Sequence, residues 1–253
     1  MIELRDLSKQ YGPAAAVDGV SLRVETGEFL VLAGYSGCGK TTTLSLINRL
    51  IEPSGGTVLI DGTDTRGLDA VALRRRIGFV FQDIGLFPHM TVAENVGITL
   101  KLAGRPRREI AARVDELLVL VRLPPERYRD VIPGVLSGGQ RQRVGVARAL
   151  AASPKLMLMD EPFGALDPLT RDELAADYKT IHAELGLTTI LVTHDMTEAM
   201  LLGDRIALMR DGRLVQIGTP RELISAPADD FVRAMMESPR RRARALAELG
   251  MGA

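Results

Sequence analysis

The stretch Gly34-Tyr35-Ser36-Gly37-Cys38-Gly39-Lys40-Thr41 decides the fold, because its spacing G-x-x-x-x-G-K-T is that of a loop that binds nucleotide phosphates. The apolar run Phe29–Ala33 before it is typical of a buried strand, and residues 42–47 after it are typical of a helix. The order of strand, glycine-rich loop and helix is what gives the motif its meaning. We therefore predict a nucleotide site. The alternative is a glycine-rich turn with a surface lysine.

The residue types in this loop fit the chemistry of phosphate binding. Glycines let backbone N–H groups turn inward around a triphosphate, and the start of a helix adds partial positive charge. Lys40 would reach the β- and γ-phosphates, and the Thr41 hydroxyl would ligate Mg²⁺. Cys38 lies near the start of the helix and near Lys40, so we expect the thiolate form of its side chain to be favoured. The loop residues assigned to nucleotide binding are Gly34, Ser36, Gly37, Cys38, Gly39, Lys40, Thr41 and Thr42.

The composition limits the classes of protein to consider. The 253 residues carry 32 basic and 32 acidic side chains, and the net charge of zero argues against a strongly nucleic-acid-binding surface, so no nucleic-acid partner is expected. One cysteine excludes an internal disulfide and fits a reducing compartment. The N-terminus has no signal-peptide pattern, and no apolar run approaches the roughly 18–20 residues of a membrane helix. Taken alone, the sequence predicts a soluble cytosolic protein.

The N-terminal part predicts strands. Residues 2–7 and 20–24 alternate between apolar and polar side chains, as half-buried strands do. Tyr11 precedes the loop by some twenty-odd residues and could fold back to stack on adenine. The alternative for Tyr11 is an ordinary tyrosine in a turn.

The middle of the chain has a helical pattern. Thr91 and Glu94 form a capping-box pattern that opens a helix, and Pro106 lies at the start of another. No strand pattern occurs until Leu156, so residues 86–152 are interpreted as a helical lobe inserted into an α/β core. The apolar positions with helical spacing in the second helix are Ile110, Val114, Leu117, Leu118 and Val121.

Polar side chains follow three buried strands of the predicted sheet. They are Gln82, the pair Asp160-Glu161, and His194. Ligands in open α/β sheets bind at the carboxyl ends of strands, where the phosphate loop also lies. A lone glutamine or histidine at a strand end is otherwise best explained as a satisfied loop residue.

Each of these residues suits phosphoryl transfer to water. Asp160 can hold Mg²⁺ directly or through water, and Glu161 can orient or deprotonate the attacking water. Gln82 can bridge the water and the metal, and His194 can donate to the γ-phosphate. We predict Glu161, His194, Gln82 and Lys40 as catalytic residues, and Thr41, Gln82 and Asp160 as ligands of the metal.

A second anion-binding helix start is predicted at Ser137, Gly138, Gly139 and Gln140. The predicted helical lobe separates these residues from the first loop. Two phosphate cradles in a chain with one lysine-bearing loop suggest that each cradle serves a different nucleotide.

These motifs together resemble an ATP-binding cassette (ABC) ATPase, the motor subunit of ABC transporters. The specific part is Leu136-Ser137-Gly138-Gly139-Gln140, placed shortly before Leu158-Met159-Asp160-Glu161-Pro162. Residues 163–167 resemble the D-loop of that family, and residues 192–195 its switch histidine. The resemblance extends to about Met236. Tyr35 departs from the pattern, because relatives usually carry a smaller residue or proline there. In the family's pattern this position faces away from the phosphates.

The resemblance implies an α/β fold, a P-loop NTPase core with an inserted helical subdomain and an N-terminal antiparallel β subdomain. The ABC ATPase domain would span residues 1–236, and an Arg-rich tail residues 237–253. The implied cofactors are ATP and Mg²⁺. In that family two cassettes pair head to tail as a homodimer, and each ATP lies between the loop at Lys40 of one chain and the Ser137 region of the other.

The resemblance also implies partners. Importer cassettes work on membrane permease subunits at the cytoplasmic face of the membrane, and indirectly with a substrate-binding protein. Residues 83–90 are a candidate docking surface, because Phe87, Pro88 and Met90 would be apolar on an exposed lobe. The alternative is that they pack the lobe. Three stretches of sequence look most like those of cassettes from importers of glycine betaine, choline and related osmoprotectants. They are residues 47–53, 169–174 and 229–233.

Other classes of protein remain open on the sequence alone. An exporter ATPase would share these motifs. DNA-repair or chromosome-organising ATPases carry coiled-coil or zinc insertions, and a non-hydrolysing regulatory module would have a degraded Glu161 or His194; neither pattern is visible in the sequence. The arginines of residues 240–244 could touch acidic lipid headgroups. The alternative is a solvated helix face.

Overall fold

The computed structural model describes residues 2–250, without the side chains of 240 and 242–250. The chain falls into two compact units: Thr65–Ile190 form the second unit, and the segments before and after them form the first. In chain order the strands are β1 (Ile2–Tyr11), β2 (Ala14–Val24), β3 (Phe29–Ala33), β4 (Gly55–Ile60), β5 (Thr63–Asp64), β6 (Ile77–Val80), β7 (Leu156–Asp160), β8 (Thr188–Thr193), β9 (Arg205–Arg210) and β10 (Arg213–Gly218). The helices are α1 (Lys40–Ile47), α2 (Ala70–Arg75), α3 (Val92–Leu102), α4 (Arg107–Leu120), α5 (Pro125–Tyr128), α6 (Gly138–Leu150), α7 (Pro168–Leu185), α8 (Met196–Leu202), α9 (Pro220–Ser225) and α10 (Asp230–Gly250).

An antiparallel sheet in the first unit has the strand order β2-β1-β4-β5. The predicted alternation of residues 2–7 is confirmed, since Ile2, Leu4 and Leu7 are buried. The alternation is interrupted once, because Asp6 has a positive φ of 47° and the register shifts between Leu4 and Leu7. This bulge turns Leu7 back toward the core.

The remaining strands form a mixed sheet. In the first unit the order is β10-β9-β3, with β8 next to β3, and in the second unit it is β8-β7-β6. Strand β3 is parallel to β9 and buried along its whole length, and β6 is parallel to β7. The antiparallel pair β9 and β10 is joined by Asp211 and Gly212, whose φ angles of 50° and 79° suit a two-residue hairpin turn. The dipeptide Asp-Gly is a common sequence signal for such a turn.

Residues 81–155 of the second unit contain helices and no strand, as the inserted helical part of the fold requires. The capping box at the start of α3 is present: the Thr91 hydroxyl accepts from the Glu94 N–H at 3.2 Å, and the Glu94 carboxylate accepts from the Thr91 N–H at 2.8 Å. Pro106 is the N-cap of α4 with extended backbone, one position earlier than the first turn. The fully buried positions of α4 are Val114, Leu117 and Leu118.

Helix α7 also begins at a capping side chain. Asp167 caps α7 by accepting from Thr170, and these hydrogen bonds lower the pKa of its carboxyl. Helix α10 continues through residues 236 and 237 without a break, so the Arg-rich tail begins within a helix. The lipid contact considered for this tail depends on side chains at 240 and 242–244, which lie outside the described ones. None of the helices in residues 2–250 is both long and apolar enough to span a bilayer.

Candidate nucleotide-binding site

The loop between β3 and α1 can be formed only with glycine at two of its positions. Gly34 has a φ of 152°, and a methyl group there would lie 2.3 Å from the carbonyl oxygen of Met209 in β9. Gly39 has a φ of 102°, and a methyl group there would lie 2.2 Å from the carbonyl oxygen of Ala16 in β2. Real Cβ atoms do not approach oxygen so closely. The loop therefore folds tightly against two strands of its own unit, with its backbone rather than side chains forming the turn.

Lys40 holds its ammonium group inside this loop. The residue is only 4% exposed, and Nζ donates to the carbonyl oxygens of Gly34 at 2.9 Å and Tyr35 at 3.0 Å. Helix α1 begins at Lys40 and has no side-chain cap, so its first turn is formed without a competing polar side chain. A buried ammonium beside an uncapped helix start gives the loop the positive potential that a phosphate group requires.

Cys38 differs from the sequence-based expectation. The residue is 6% exposed, and its burial raises the pKa of the thiol. The ammonium of Lys40, with Nζ 3.9 Å from Sγ, acts in the opposite direction but is the smaller effect. The prediction that the thiolate is favoured is therefore wrong, because desolvation penalises the charged form more than the lysine and helix start stabilise it.

Tyr35 contacts the C-terminal helix. Its ring lies 5.6 Å from that of Phe231 in α10, at 66° between the ring planes, and the residue is 61% exposed. The guanidinium of Arg210 lies 5.0 Å from the Phe231 ring and pairs with Asp229 at 3.0 Å. Tyr35, which departs from the family pattern, thus has an edge-to-face contact with Phe231, and the Arg210 guanidinium lies over the Phe231 ring. Sequence reasoning missed Phe231, which lies far from the loop in the chain.

Tyr11 ends β1 with its ring half exposed. The ammonium of Lys9 lies 5.2 Å from the ring centroid, which is a cation–π distance. An exposed aromatic ring suits stacking on a base, and the role in adenine binding stays a prediction.

His194 follows β8, which lies next to β3 in the sheet. The histidine itself is exposed, while the residues on either side of it form a capping structure. The Asp195 N–H donates to the Thr193 hydroxyl at 3.0 Å, and the Asp195 carboxylate accepts from the Thr197 N–H at 2.7 Å at the start of α8. In the first unit, therefore, the phosphate loop follows β3 and His194 follows β8, and these two strands are neighbours in the sheet.

In the second unit, Gln82 and Asp160 lie at the same edge of the sheet. Strands β6 and β7 are parallel, and Val80 pairs with Met159 near their carboxyl ends. Asp160 is 7% exposed at the last position of β7, and Gln82 is exposed just beyond β6. Glu161 comes next with a φ of 42°, an uncommon conformation for a residue other than glycine. The second unit thus brings the amide and the two carboxylates to one edge.

The start of α6 is closed by its own side chains. The Ser137 hydroxyl accepts from the Gln140 N–H at 3.2 Å, and the Gln140 side-chain oxygen accepts from the Ser137 N–H at 2.9 Å. Gly139 is buried, and a methyl group there would lie 2.6 Å from Cγ2 of Thr170 in α7. Sequence reasoning missed this capping box, although the spacing S-x-x-Q signals it. The Ser137 hydroxyl keeps its own hydrogen to donate to an incoming anion.

Arg148 near the end of α6 is a further residue that sequence reasoning missed. Its guanidinium donates to the backbone of the loop that follows Gln82, and burial lowers its pKa. An arginine within the apolar run 144–150 of a mostly buried helix was the available signal.

Comparisons with known proteins find similar sequences. A family profile described as ABC transporter matches residues 17–164. The chain is 52% identical to the choline transport ATP-binding protein OpuBA of Bacillus subtilis, over 92% of this chain and 61% of that protein. It is 48% identical to the glycine betaine uptake system ATP-binding protein YehX of Escherichia coli, over 92% of this chain and 75% of that protein.

A solved structure is similar as well. It is a dimeric post-hydrolysis state of the ATP-binding cassette MJ0796 bound to ADP and Pi, with a TM-score of 0.78 and 37% identity over 87% of this chain and 98% of that chain. The chain spans about six tenths of the length of OpuBA, at 61%. The family profile covers more than half of the chain, and these relatives share its sequence at well over 30% identity. The chain therefore belongs to the ABC transporter family.

Proposed function

We propose that this chain is the ATP-hydrolysing subunit of an ABC transporter, with ATP bound at residues 34–42. The observation that carries the proposal is the loop around Lys40, a buried ammonium enclosed by a turn that only glycines at 34 and 39 allow. Such a turn binds phosphate through its backbone, and the lysine neutralises the charge. Tyr11 would stack on adenine.

The residues that follow the other strands would position the attacking water. Glu161 would accept its proton, Gln82 would hold it in place, and His194 would donate to the γ-phosphate. The strained φ of 42° at Glu161 supports this role, because non-glycine residues keep such conformations mainly where a site requires them.

The donor set fits Mg²⁺. Asp160 offers a carboxylate, Gln82 an amide oxygen and Thr41 a hydroxyl, all hard oxygen ligands. Mg²⁺ in nucleotide sites is held by one or two carboxylates together with phosphate oxygens, and this set is of that kind. When bound, the ion would neutralise charge on the β- and γ-phosphates.

A second copy of the chain would complete the site. The Ser137–Gln140 start of α6 offers a hydroxyl and backbone donors, and it would face the γ-phosphate held by the loop of the other copy. This proposal draws on the dimer of the similar cassette MJ0796. A head-to-tail homodimer would thus hold two ATP molecules at its interface.

The transported substrate is proposed from the relatives. OpuBA is a choline transport protein and YehX belongs to a glycine betaine uptake system. We propose import of glycine betaine, choline or a related osmoprotectant, with permease subunits in the membrane, a substrate-binding protein acting through them, and this chain on the cytoplasmic face.

The loop at residues 83–90 would contact the permease. Buried Asn95 accepts from the Phe87 N–H at 2.8 Å and donates to the Phe87 and Met90 carbonyls at 3.1 and 3.2 Å. This scaffold leaves the Phe87 side chain 41% exposed and Pro88 exposed. An apolar tip held rigidly outward suits a protein partner.

Replacing Glu161 tests the hydrolytic function. Glu161→Gln should bind ATP normally, but its rate of hydrolysis should fall by about 100-fold or more, because an amide cannot take the proton. ATP should then trap a dimer in size-exclusion chromatography. Glu173→Gln, at an exposed position of α7, is the matched control and should behave as the wild type. Hydrolysis by Glu161→Gln at the wild-type rate would show that the catalytic assignment is wrong.

Transport requires a separate measurement. Proteoliposomes with the permease, the binding protein and this chain should accumulate choline or glycine betaine when MgATP is supplied to the side that carries the chain. The Glu161→Gln chain should support no uptake. Uptake of neither compound by the active complex would reject the substrate class while leaving the ATPase proposal intact.

A further inference from the structure

The loop after Gln82 has an unfavourable backbone. Ile84 has a φ of 56° and Gly85 one of 60°, so two consecutive residues lie in the left-handed region. This region is a genuine outlier for a β-branched residue such as isoleucine. The surrounding structure must therefore hold the loop in place.

Arg148 of α6 holds the carbonyl groups of these two residues. Its Nη1 donates to the Gly85 oxygen at 2.7 Å, and its Nη2 donates to the Ile84 oxygen. The fork of a guanidinium fixes the direction of both acceptors at once, which a lysine ammonium does not do. The carbonyl groups of both left-handed residues are thus bonded to a single side chain.

Gly145 of the same helix receives the side chain of Ile84. Gly145 and Arg148 are three residues apart, so they lie on one face of α6. A methyl group on Gly145 would lie 2.7 Å from Cγ2 of Ile84. The helix surface therefore has a notch for the isoleucine side chain beside the guanidinium that holds its carbonyl.

Helix α6 joins this attachment to the proposed second phosphate cradle. It begins at the Ser137–Gln140 capping box and ends at Leu150, which is about 20 Å for its 13 residues at 1.5 Å each. One helix thus presents Ser137 at its start and holds the Gln82 loop near its end. The guanidinium of Arg148 bonds to the backbone of residues 84 and 85. Any influence of Arg148 on the position of Gln82 therefore passes through this loop.

We infer that Arg148, together with the notch at Gly145, is a positioning residue for Gln82. It fixes the backbone two residues after Gln82, so the placement of the Gln82 side chain depends on the position of the helix that begins at Ser137. This inference rests on the proposed function, in which Gln82 holds the water and the metal. A nucleotide seated at Ser137 is thereby linked to the placement of Gln82 through one rigid helix.

Two substitutions disturb this attachment by different routes. Arg148→Lys keeps the charge but replaces the rigid planar fork with a single ammonium on a flexible stem, and Gly145→Ala keeps the guanidinium but fills the notch. Each should lower kcat about tenfold or more, because small displacements at a catalytic centre are costly, while the KM for ATP changes less than about twofold. Each should also raise the Mg²⁺ concentration needed for half the maximal rate.

A compensating change separates positioning from folding. In Gly145→Ala/Ile84→Ala, Cγ2 of residue 84 is gone, so the notch is no longer needed and kcat should return to near the wild-type value. Arg143→Lys is the matched control. Arg143 lies on the same helix and pairs with Asp177 at 2.7 Å, so this variant should lose some stability in thermal unfolding but keep kcat and the Mg²⁺ dependence.

Gln82→Ala, alone and combined with Arg148→Lys, completes the test. If Arg148 acts through Gln82, the double variant should be no slower than Gln82→Ala alone. Unchanged kcat in Arg148→Lys and Gly145→Ala, or failure of Ile84→Ala to restore Gly145→Ala, would overturn the inference about Arg148. Wild-type activity of Gln82→Ala would instead reject the proposed role of Gln82.

Discussion

The two proposed phosphate cradles are both helix starts, but they are built in opposite ways. At the start of α1, Gly39 has a left-handed φ of 102°, no side chain caps the helix, and the buried Lys40 ammonium lies inside the turn. At the start of α6, Ser137 has extended backbone and forms a capping box with Gln140. The shape of the first cradle is set by glycine geometry, and this cradle carries a cation. In the second cradle, the side chains of Ser137 and Gln140 accept hydrogen bonds from each other's backbone N–H groups.

This difference predicts unequal roles. A loop with a buried cation can bind a triphosphate by itself, because it supplies both donors and charge. The capped start of α6 contains only serine, glycine and glutamine, so it offers neutral donors to an anion that is already bound elsewhere. Loss of the first cradle should abolish binding, and loss of the second should mainly slow hydrolysis.

The largest effect is expected at Gly39. In Gly39→Ala the new methyl group would meet the Ala16 carbonyl oxygen at 2.2 Å, so the loop cannot keep its shape. We expect ATP affinity, measured by isothermal titration calorimetry, to fall at least about 100-fold, as expected when a preorganised phosphate loop is lost.

The control for backbone strain alone is Gly27→Ala. Gly27 has a φ of 80°, and a methyl group there would have nothing within 4 Å of it. The substitution should therefore cost about 1–2 kcal/mol of stability and leave ATP affinity unchanged. Equal ATP affinity in Gly39→Ala and the wild type would show that ATP binding does not depend on the glycine geometry of this loop.

A smaller effect is expected at Ser137. Ser137→Ala removes the cap of α6, and Thr219→Ala removes the equivalent capping box of α9. Each should lower the free energy of unfolding by about 1 kcal/mol in urea titrations. Only Ser137→Ala should also slow ATP hydrolysis, because its hydroxyl would donate to the γ-phosphate. The same hydrolysis rate in both variants would make Ser137 a helix cap and nothing more.

The smallest effect concerns the thiol of Cys38. Because burial raises its pKa, less thiolate is present at neutral pH than in an exposed cysteine, so maleimide labelling should be slower than that of a free thiol. The labelling rate should rise with pH through a midpoint above that of the free thiol, and MgATP should slow it further. A midpoint below that of the free thiol would restore the sequence-based expectation.

Features set by neighbours in the chain were predictable from the sequence. The Asp211-Gly212 hairpin and the capping boxes at Thr91 and Thr219 each depend on two to four consecutive residues, so their spacing identifies them. The same holds for the order of strand, loop and helix around Lys40. The predicted strand ends carrying Gln82 and Asp160 also lie beside each other in the parallel sheet.

Features set by packing were not predictable. The pKa of Cys38 depends on how deeply the loop is buried, and the phosphate-loop motif does not encode that burial. The contact of Tyr35 with Phe231 and the bonds of Arg148 to residues 84 and 85 join distant parts of the chain. Each depends on how helices pack on the sheets, and no local spacing encodes it.

Mixing two inactive variants tests the shared site most directly. Lys40→Ala spoils the first cradle, and Gly138→Asp places a carboxylate in the second. Gly138 suits this purpose because a methyl group there would lie 3.4 Å from Leu166, whereas one on Gly139 would lie 2.6 Å from Thr170 and disturb the packing of α6. Neither homodimer then has an intact site. In a head-to-tail heterodimer, one of the two sites combines an intact loop with an intact helix start.

The account predicts that ATPase activity, absent from each variant alone, reappears when they are mixed and stays below the wild-type level. Crosslinking of differently tagged chains should show heterodimers that form only with ATP. Heterodimers without turnover would support the shared site and show that hydrolysis needs two intact sites. A mixture that remains inactive and forms no ATP-dependent heterodimer would contradict the shared site.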